Sequence, residues 1–418
     1  MPWRTTDLVT IRKEFVALAL SGQHPVSVLC NAYGISEKTG HKWINRYKEE
    51  GGPGLSDRSH VPLNTPHKIS LEIRREILAL REKHPTWGPK KLRVVLHRRS
   101  PQTRWPAASS IGELLRREGC VRPARRTKSA LGLPIDTGLT VAKAPNDVWS
   151  TDFKGEFRLL NGELCYPLTI QDVFSRFVIG ITALGSTAGV PVQIAFTRHF
   201  EQYGLPLAIR SDNGVPFASA SSIGRLSKLS VWWIRLGIRP ERIDVGKPQQ
   251  NGTHERMHRT LKAETTRPPG ASPTDQQRRF DQFGREFNVE RPHESLDQET
   301  PASRFSVSQR AFPSQLPEMC YPAHFEARVV TQAGQIHFKS RRFQISTALT
   351  GQELGLEEIE DDLWSVAFGP LLLGTIHYPS GTFIEEVRWN ADDTAPKEEE
   401  KQDRRTSKMT EGLPILPV

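Results

Sequence analysis

Three acidic positions stand apart in the middle third of this 418-residue chain, each in a setting suited to gripping a divalent cation. Asp152 lies in Trp149-Ser150-Thr151-Asp152-Phe153, and Asp212 in Arg210-Ser211-Asp212-Asn213-Gly214. Glu255 lies in Pro248-Gln249-Gln250-Asn251-Gly252-Thr253-His254-Glu255-Arg256. Hard cations such as Mg2+ take oxygen ligands and keep room for phosphate oxygens. Two such ions can stabilise both the attacking and the leaving oxygen of a phosphodiester exchange. Each carboxylate alone has a plainer reading. An aspartate near a strand end often caps a turn, Asp-Asn-Gly is an ordinary turn signal, and Glu255 beside Arg256 and Arg259 suits a salt-bridged helix surface.

The elements that must position these groups alternate strand and helix. Val148–Phe153, Leu164–Gln171 and Arg176–Thr182 read as strands, with Asp172–Ser175 as a turn in which Asp172 caps its own backbone. Gly189–Tyr203 reads as a helix, Leu207–Ser211 as a short buried strand, Asn251–Glu264 as a helix after Pro248, and 275–290 as another. This is an α/β layer pattern. His254 and His258 are spaced i,i+4 on the helix that carries Glu255. Without a His-Glu-x-x-His order or a cysteine partner they argue against zinc, and hydration or DNA contact is expected for them.

A basic partner-binding half precedes this core. The net charge is +10, and residues 1–140 carry 25 Lys/Arg against 12 Asp/Glu, so the remainder is close to neutral. Such a distribution favours a polyanion. Residues 7–20, Ser27–Tyr33 and Ser36–Glu49 read as three helices broken at Gly34, a helix-turn-helix pattern. Lys38, Thr39, Lys42 and Arg46 at the start of the third helix are the candidate DNA contacts. A second helical unit follows at Ser70–Lys83, Gly88–Arg99 and Ala107–Gly119, with Lys90 and Lys91 as further candidates, and Arg122–Lys128 reads as a basic strap or linker. A plain three-helix bundle with a solvated face is the competing reading of each.

These motifs together resemble the DDE transposases of bacterial insertion sequences, whose catalytic core is like that of retroviral integrases. The resemblance is carried by Asp147–Phe153, Leu168–Arg176, Ser211–Gly214 with Phe217, Gly246–Leu261, and the trailing Phe287–Leu296 with Thr300-Pro301. It implies an RNase H-like core in which Asp152, Asp212 and Glu255 hold two Mg2+ ions, with Mn2+ able to substitute. It also implies cleavage and strand transfer of double-stranded DNA, at element ends and into target DNA, by a homo-oligomer. Lys247, Arg256 and Arg259 flank the third carboxylate and are candidate phosphate contacts. The interval from Asp212 to Glu255 is longer than the family's familiar one. The surplus is expected in a surface loop at Ser219–Ser230, and Glu241 and Glu264 stand as rivals for the third position. The alternative function is a catalytically inactive helix-turn-helix regulator.

After Pro322 alternation of period two predicts five strands and a small SH3-like β-barrel, on which Lys339, Arg341 and Arg342 share a strand. The expected organisation is thus multidomain, α plus α/β plus small β. It comprises helix-turn-helix modules at 1–55 and 66–130, the core at 140–310, the barrel at 320–388 and a disordered tail at 389–418. Four dispersed cysteines give no CxxC pair, which excludes a zinc finger or disulfide scaffold. No apolar run approaches the ~18 residues of a membrane span. The expected setting is the cytoplasm, at the nucleoid.

Overall fold

Capping chemistry sets the first helices of the computed structural model, which describes residues 7–58, 69–121, 139–244 and 246–389. Asp7 accepts the Val9 N–H to start α1 (Leu8–Leu20), α2 is Val26–Ala32, and Ser36 accepts the Thr39 N–H at 3.3 Å to start α3 (Glu37–Glu50). Gly34 turns the chain between α2 and α3 at φ +64°. A Cβ on Gly40 would come within 2.4 Å of the Cys30 sulfur, so only glycine lets α3 sit this close to α2. Phe15, Val16, Leu29, Cys30, Trp43, Ile44 and Leu55 form the core of this unit, which ends at Ser70. The basic stretch Arg122–Lys128 and the tail from 390 lie outside the described residues.

The second unit begins at Leu71 with α4 (Leu71–Lys83), α5 (Pro89–Arg99) and α6 (Ala108–Arg117), packed around Leu80, Trp87, Leu92, Trp105, Ile111 and Leu115. A mixed sheet follows. Its strands are β1 (Val148–Phe153), β2 (Phe157–Arg158), β3 (Leu164–Asp172), β4 (Val178–Leu184), β5 (Ala208–Ser211) and β6 (Arg239–Arg242). Hairpin-linked β3 pairs antiparallel with β1 and β4, while β1, β5 and β6 run parallel. On one face α7 (Gly189–Tyr203) and α8 (Lys228–Arg235) bury Phe196, Phe200, Trp232 and Trp233 against Trp149, Ile170 and Ile209. On the other, α9 (Gly252–Thr265) and α10 (Pro273–Arg285) bury Met257, Leu261, Phe280 and Phe283 against Cys165, Val178 and Ile181. The result is three layers, helix on sheet on helix.

In the expected surface loop at Ser219–Ser230, residues 219–227 form turns and a short 3-10 segment, with Ala220, Ser221 and Arg225 exposed as a surface loop would have them. Only the end of the expected stretch, from Lys228, is helix. Ser227 and Ser230 make a reciprocal capping box, and the run Leu229–Ile234 behind it is buried throughout as α8. Behind that loop α8 covers one face of the sheet and also packs on the C-terminal module.

That module departs from the expected barrel. β7 (Glu326–Val329), β10 (Glu353–Glu360), β11 (Leu363–Phe368), β12 (Leu371–His377) and β13 (Thr382–Trp389) form an open sheet in the order β13–β12–β11–β10–β7. The expected single strand at 335–345 is a separate hairpin, β8 (Gln335–Phe338) and β9 (Arg341–Gln344), turning through Lys339 at φ +51°. No closed barrel is found among the described residues. The apolar face is covered instead by Ile336, Phe338 and Phe343 of the hairpin and by Ile223, Leu226, Val231 and Ile234 around α8, so burial does not require closure.

Candidate active site and nucleic-acid interface

Strand register brings the two aspartates together. Ser150 on β1 pairs with Arg210 on the parallel β5, so Asp152 and Asp212 each lie two residues beyond that pair. Adjacent strands are about 4.8 Å apart, so both carboxylates emerge at the same sheet end. Asp212 also accepts the Gly214 N–H at 3.1 Å, closing its turn. Glu255 is exposed in the first turn of α9, which packs on the sheet through Met257 and Leu261. A cleft of about 480 Å3 is lined by Asp152, Lys154, Glu255, His258, Arg259 and Lys262. A second, of about 490 Å3, joins Glu255 to Arg176, Arg210, Gln250 and Arg256.

The electrostatics tie the three together. Burial first, then the charge of Asp212 and more weakly that of Glu255, push the Asp152 carboxyl up to about 7 against the lowering influence of Lys154. Among the described residues no Lys or Arg makes an ion pair with any of the three. The nearest basic group is His258, whose Nδ1 lies 3.7 Å from Asp152 Oδ2. Mutually repelling carboxylate oxygens without a cationic partner suit a hard divalent ion. No three His, Cys, Asp or Glu among the described residues gather tightly enough to hold a single ion.

Both rival glutamates are engaged elsewhere. Glu241 is buried and pairs with Arg210 at 2.9 Å, while Glu264 pairs with Arg291 at 3.0 Å and accepts a hydrogen bond from Thr86. Asp172 caps its turn as expected, accepting the Ser175 N–H at 2.7 Å and the Asn146 N–H at 2.8 Å. The histidines differ from expectation. His254 and His258 are buried, and burial pushes them down to about 3 and about 2. α9 turns both toward the sheet rather than into the exposed position expected of them, and His258 also borders the cleft beside Glu255. An i,i+4 pair reads the same whichever helix face is covered.

The candidate DNA contacts separate into two groups. On α3, Lys38 and Lys42 are exposed, and Thr39 and Arg46 are half-buried. Thr39 shares a hydrogen bond with Ser36, and Lys42 and Arg46 flank the Trp43 ring at 4.7 and 5.2 Å. On α5, Lys90 pairs with Glu294 at 2.7 Å. Lys91 is half-buried, and burial and then Arg291 push it down to about 8. Lys83 and Arg98 likewise pair with Glu290 and Glu299. This docking of α4–α6 onto an acidic edge was not legible in the sequence. Arg256 and Arg259 are exposed beside Glu255, and Lys247 is held by Asp244 at 2.8 Å. On the C-terminal hairpin Lys339 lies 4.7 Å from the Trp364 ring and Arg341 donates to the Pro379 carbonyl.

Comparison with known proteins converges on the same segments. A helix-turn-helix domain family matches residues 11–62 and a homeodomain-like domain family 39–115; integrase core domain families match 142–248 and 236–301. The chain is similar to the insertion element IS407 uncharacterized 31.7 kDa protein of Burkholderia multivorans, 29% identical over 45% of this chain and 65% of that protein. It is similar also to the insertion element IS476 uncharacterized 39.2 kDa protein of Xanthomonas euvesicatoria, 27% identical over 60% of this chain and 68% of that one. The chain thus spans just under two thirds of the first of these relatives. Among solved structures, the HTLV-2 integrase catalytic core in complex with magnesium is 17% identical, with a TM-score of 0.31, over 39% of this chain and 97% of that one. No helix among the described residues is long and apolar enough to cross a membrane.

Proposed function

The chain belongs to the transposases of bacterial insertion sequences that carry an integrase core and helix-turn-helix domains, and we propose that it cuts the ends of its own element and joins them to target DNA. The observation that carries this reading is the convergence of Asp152 and Asp212 at one sheet end, with Glu255 across a cleft from Asp152 and, among the described residues, no Lys or Arg paired to any of them. Asp152, Asp212 and Glu255 would together hold Mg2+, or Mn2+ in its place. Bound there, the ions would supply Lewis acidity and lower the pKa of an attacking water or DNA 3′-hydroxyl.

The chain's own groups do the rest. Lys154, Arg259 and Lys262 line the cleft wall and would orient the scissile phosphate, while Arg176 and Arg256 border the other side of Glu255. Lys38, Thr39, Lys42 and Arg46 would dock α3 on the element end, and Lys91, together with Lys90 and Lys247 once these are released from Glu294 and Asp244, would add further phosphate contacts. Coordinated cutting of two ends needs two active sites and one chain supplies one set of carboxylates, so the working form is a homo-oligomer on DNA, in the cytoplasm at the nucleoid. The test is end cleavage of a duplex carrying the sequence that flanks the gene. Cleavage with Mg2+ or Mn2+ and none with EDTA is expected; cleavage without a divalent ion would refute the reading.

A further inference from the structure

Glu255 is exposed and makes no ion pair among the described residues, so its position is inherited from α9. Met257 and Leu261 fix which face of α9 meets the sheet, but apolar contacts are non-directional and leave sliding along the helix axis weakly fixed. Directional contacts come from His254 and His258. Thr169 Oγ1, on β3, donates to the Asp152 carbonyl at 2.8 Å and lies 2.7 Å from His254 Nε2 and 2.6 Å from His258 Nε2.

A hydroxyl has one proton and two lone pairs. The carbonyl can only accept, so it takes the threonine proton, and both imidazoles donate Nε2–H to the two lone pairs. That leaves His254 Nδ1 as an acceptor, and Ser150 Oγ, on β1 two residues before Asp152, donates to it at 2.7 Å. Ser150, Thr169 and His254 have no solvent exposure at all. A buried polar network in which the Thr169 hydroxyl and both His254 nitrogens are satisfied specifies one geometry.

We propose that Ser150, Thr169, His254 and His258 form a buried clasp that locks α9 to β1 and so sets the separation of Glu255 from Asp152. They are positioning residues, and the proposal rests on the reading of those carboxylates as metal ligands. Ligand positions in a metal site must hold to within about 0.5 Å, and α9 offers no other directional bond to β1 or β3 among the described residues.

The experiment compares full-length Thr169→Val, nearly isosteric but without the hydroxyl, with Thr169→Ser, which keeps it. Hydrogen exchange across residues 252–262 in metal-free protein reads the clasp directly, and Mn2+ binding by calorimetry reads its consequence. T169V should speed exchange and weaken Mn2+ binding by about 10-fold or more, as loss of groups behind metal ligands does, with end-DNA affinity unchanged and T169S close to the unaltered chain. S150A, which cuts the link to His254 and the longer 3.3 Å contact of Ser150 Oγ with the Gln171 carbonyl but leaves Thr169 in place, should shift both readouts in the same direction by less. If T169V does not fold, S150A against the unaltered chain decides. Unchanged exchange and Mn2+ binding in the folded variants, or equal losses in T169V and T169S, would overturn the clasp. Asp152→Asn is the control for the underlying reading: if it cleaves and binds Mn2+ normally, the metal site fails while the exchange data still judge the clasp.

Discussion

Glu241→Gln separates the rival carboxylates by what each is for. Glu241 and Arg210 are paired at 2.9 Å, with side chains only 5% and 9% exposed. Their backbone partner is Thr140, whose N–H reaches Glu241 at 3.2 Å and whose carbonyl accepts from Arg210 at 2.7 Å. Removing the negative charge strands a buried guanidinium, and breaking such a pair costs about 3–5 kcal/mol. Glutamine can still accept from Thr140, so the lower end, about 3 kcal/mol, is expected; for the unit Leu71–Val418 that lowers Tm by roughly 4 °C. Because Glu241 lies across from Arg210 rather than at the carboxylate cleft, end cleavage at 25 °C should be unchanged per folded molecule. The assay pairs a thermal melt with single-end cleavage on the same preparation. A Tm equal to that of the unaltered chain, or loss of cleavage by folded E241Q as complete as in E255Q, would refute the placement of Glu241 as structural.

Three further outcomes follow from the geometry. Burial holds His199 and His293 down at about 4 and about 3, so the unfolded chain takes up protons below about pH 6.5 that the folded chain refuses. Stability should be full above that pH and fall toward pH 4 by up to about 1.4 kcal/mol per pH unit per group; a urea midpoint flat or rising from pH 7 to pH 5 would contradict this. Glu294→Gln should free Lys90 and tighten binding to duplex DNA at low salt, and unchanged affinity would remove Lys90 from the DNA contacts. Lys42→Ala with Arg46→Ala should weaken end binding and reduce the slope of log affinity against log salt by about 1 for each phosphate no longer neutralised, whereas an unaltered slope would place α3 away from the backbone.

What was legible in the sequence was local. Asp7, Gly34 and Ser36 announce α1 to α3 because capping and left-handed turns depend on single residues. Strand β1 and helix α7 match their expected bounds because each has a clear period and a clear stop. What was missed depends on distant partners. The Ser-rich run up to Ser227 reads as loop and is loop. Behind it α8 went unread, because Val231 to Ile234 are covered on one side by the core and on the other by the C-terminal sheet. A helix buried all round shows no amphipathic period. The split of 335–345 at Lys339 and the extra strand β13 likewise follow from what they cover. At the site, the register of Asp152 with Asp212 was implicit in two strands, but the engagement of Glu241 and Glu264 and the inward turn of His254 and His258 arise from contacts far apart in the chain.

The central claim is that Asp152, Asp212 and Glu255 act as one metal-holding set on DNA. Its most direct test measures end cleavage and strand transfer by Asp152→Asn, Asp212→Asn and Glu255→Gln in Mg2+ and in Mn2+, with end-DNA binding measured alongside. The account predicts that each variant binds the ends like the unaltered chain and that none cleaves or joins them in either metal. Near-normal cleavage by any one of the three, with binding intact, would contradict it.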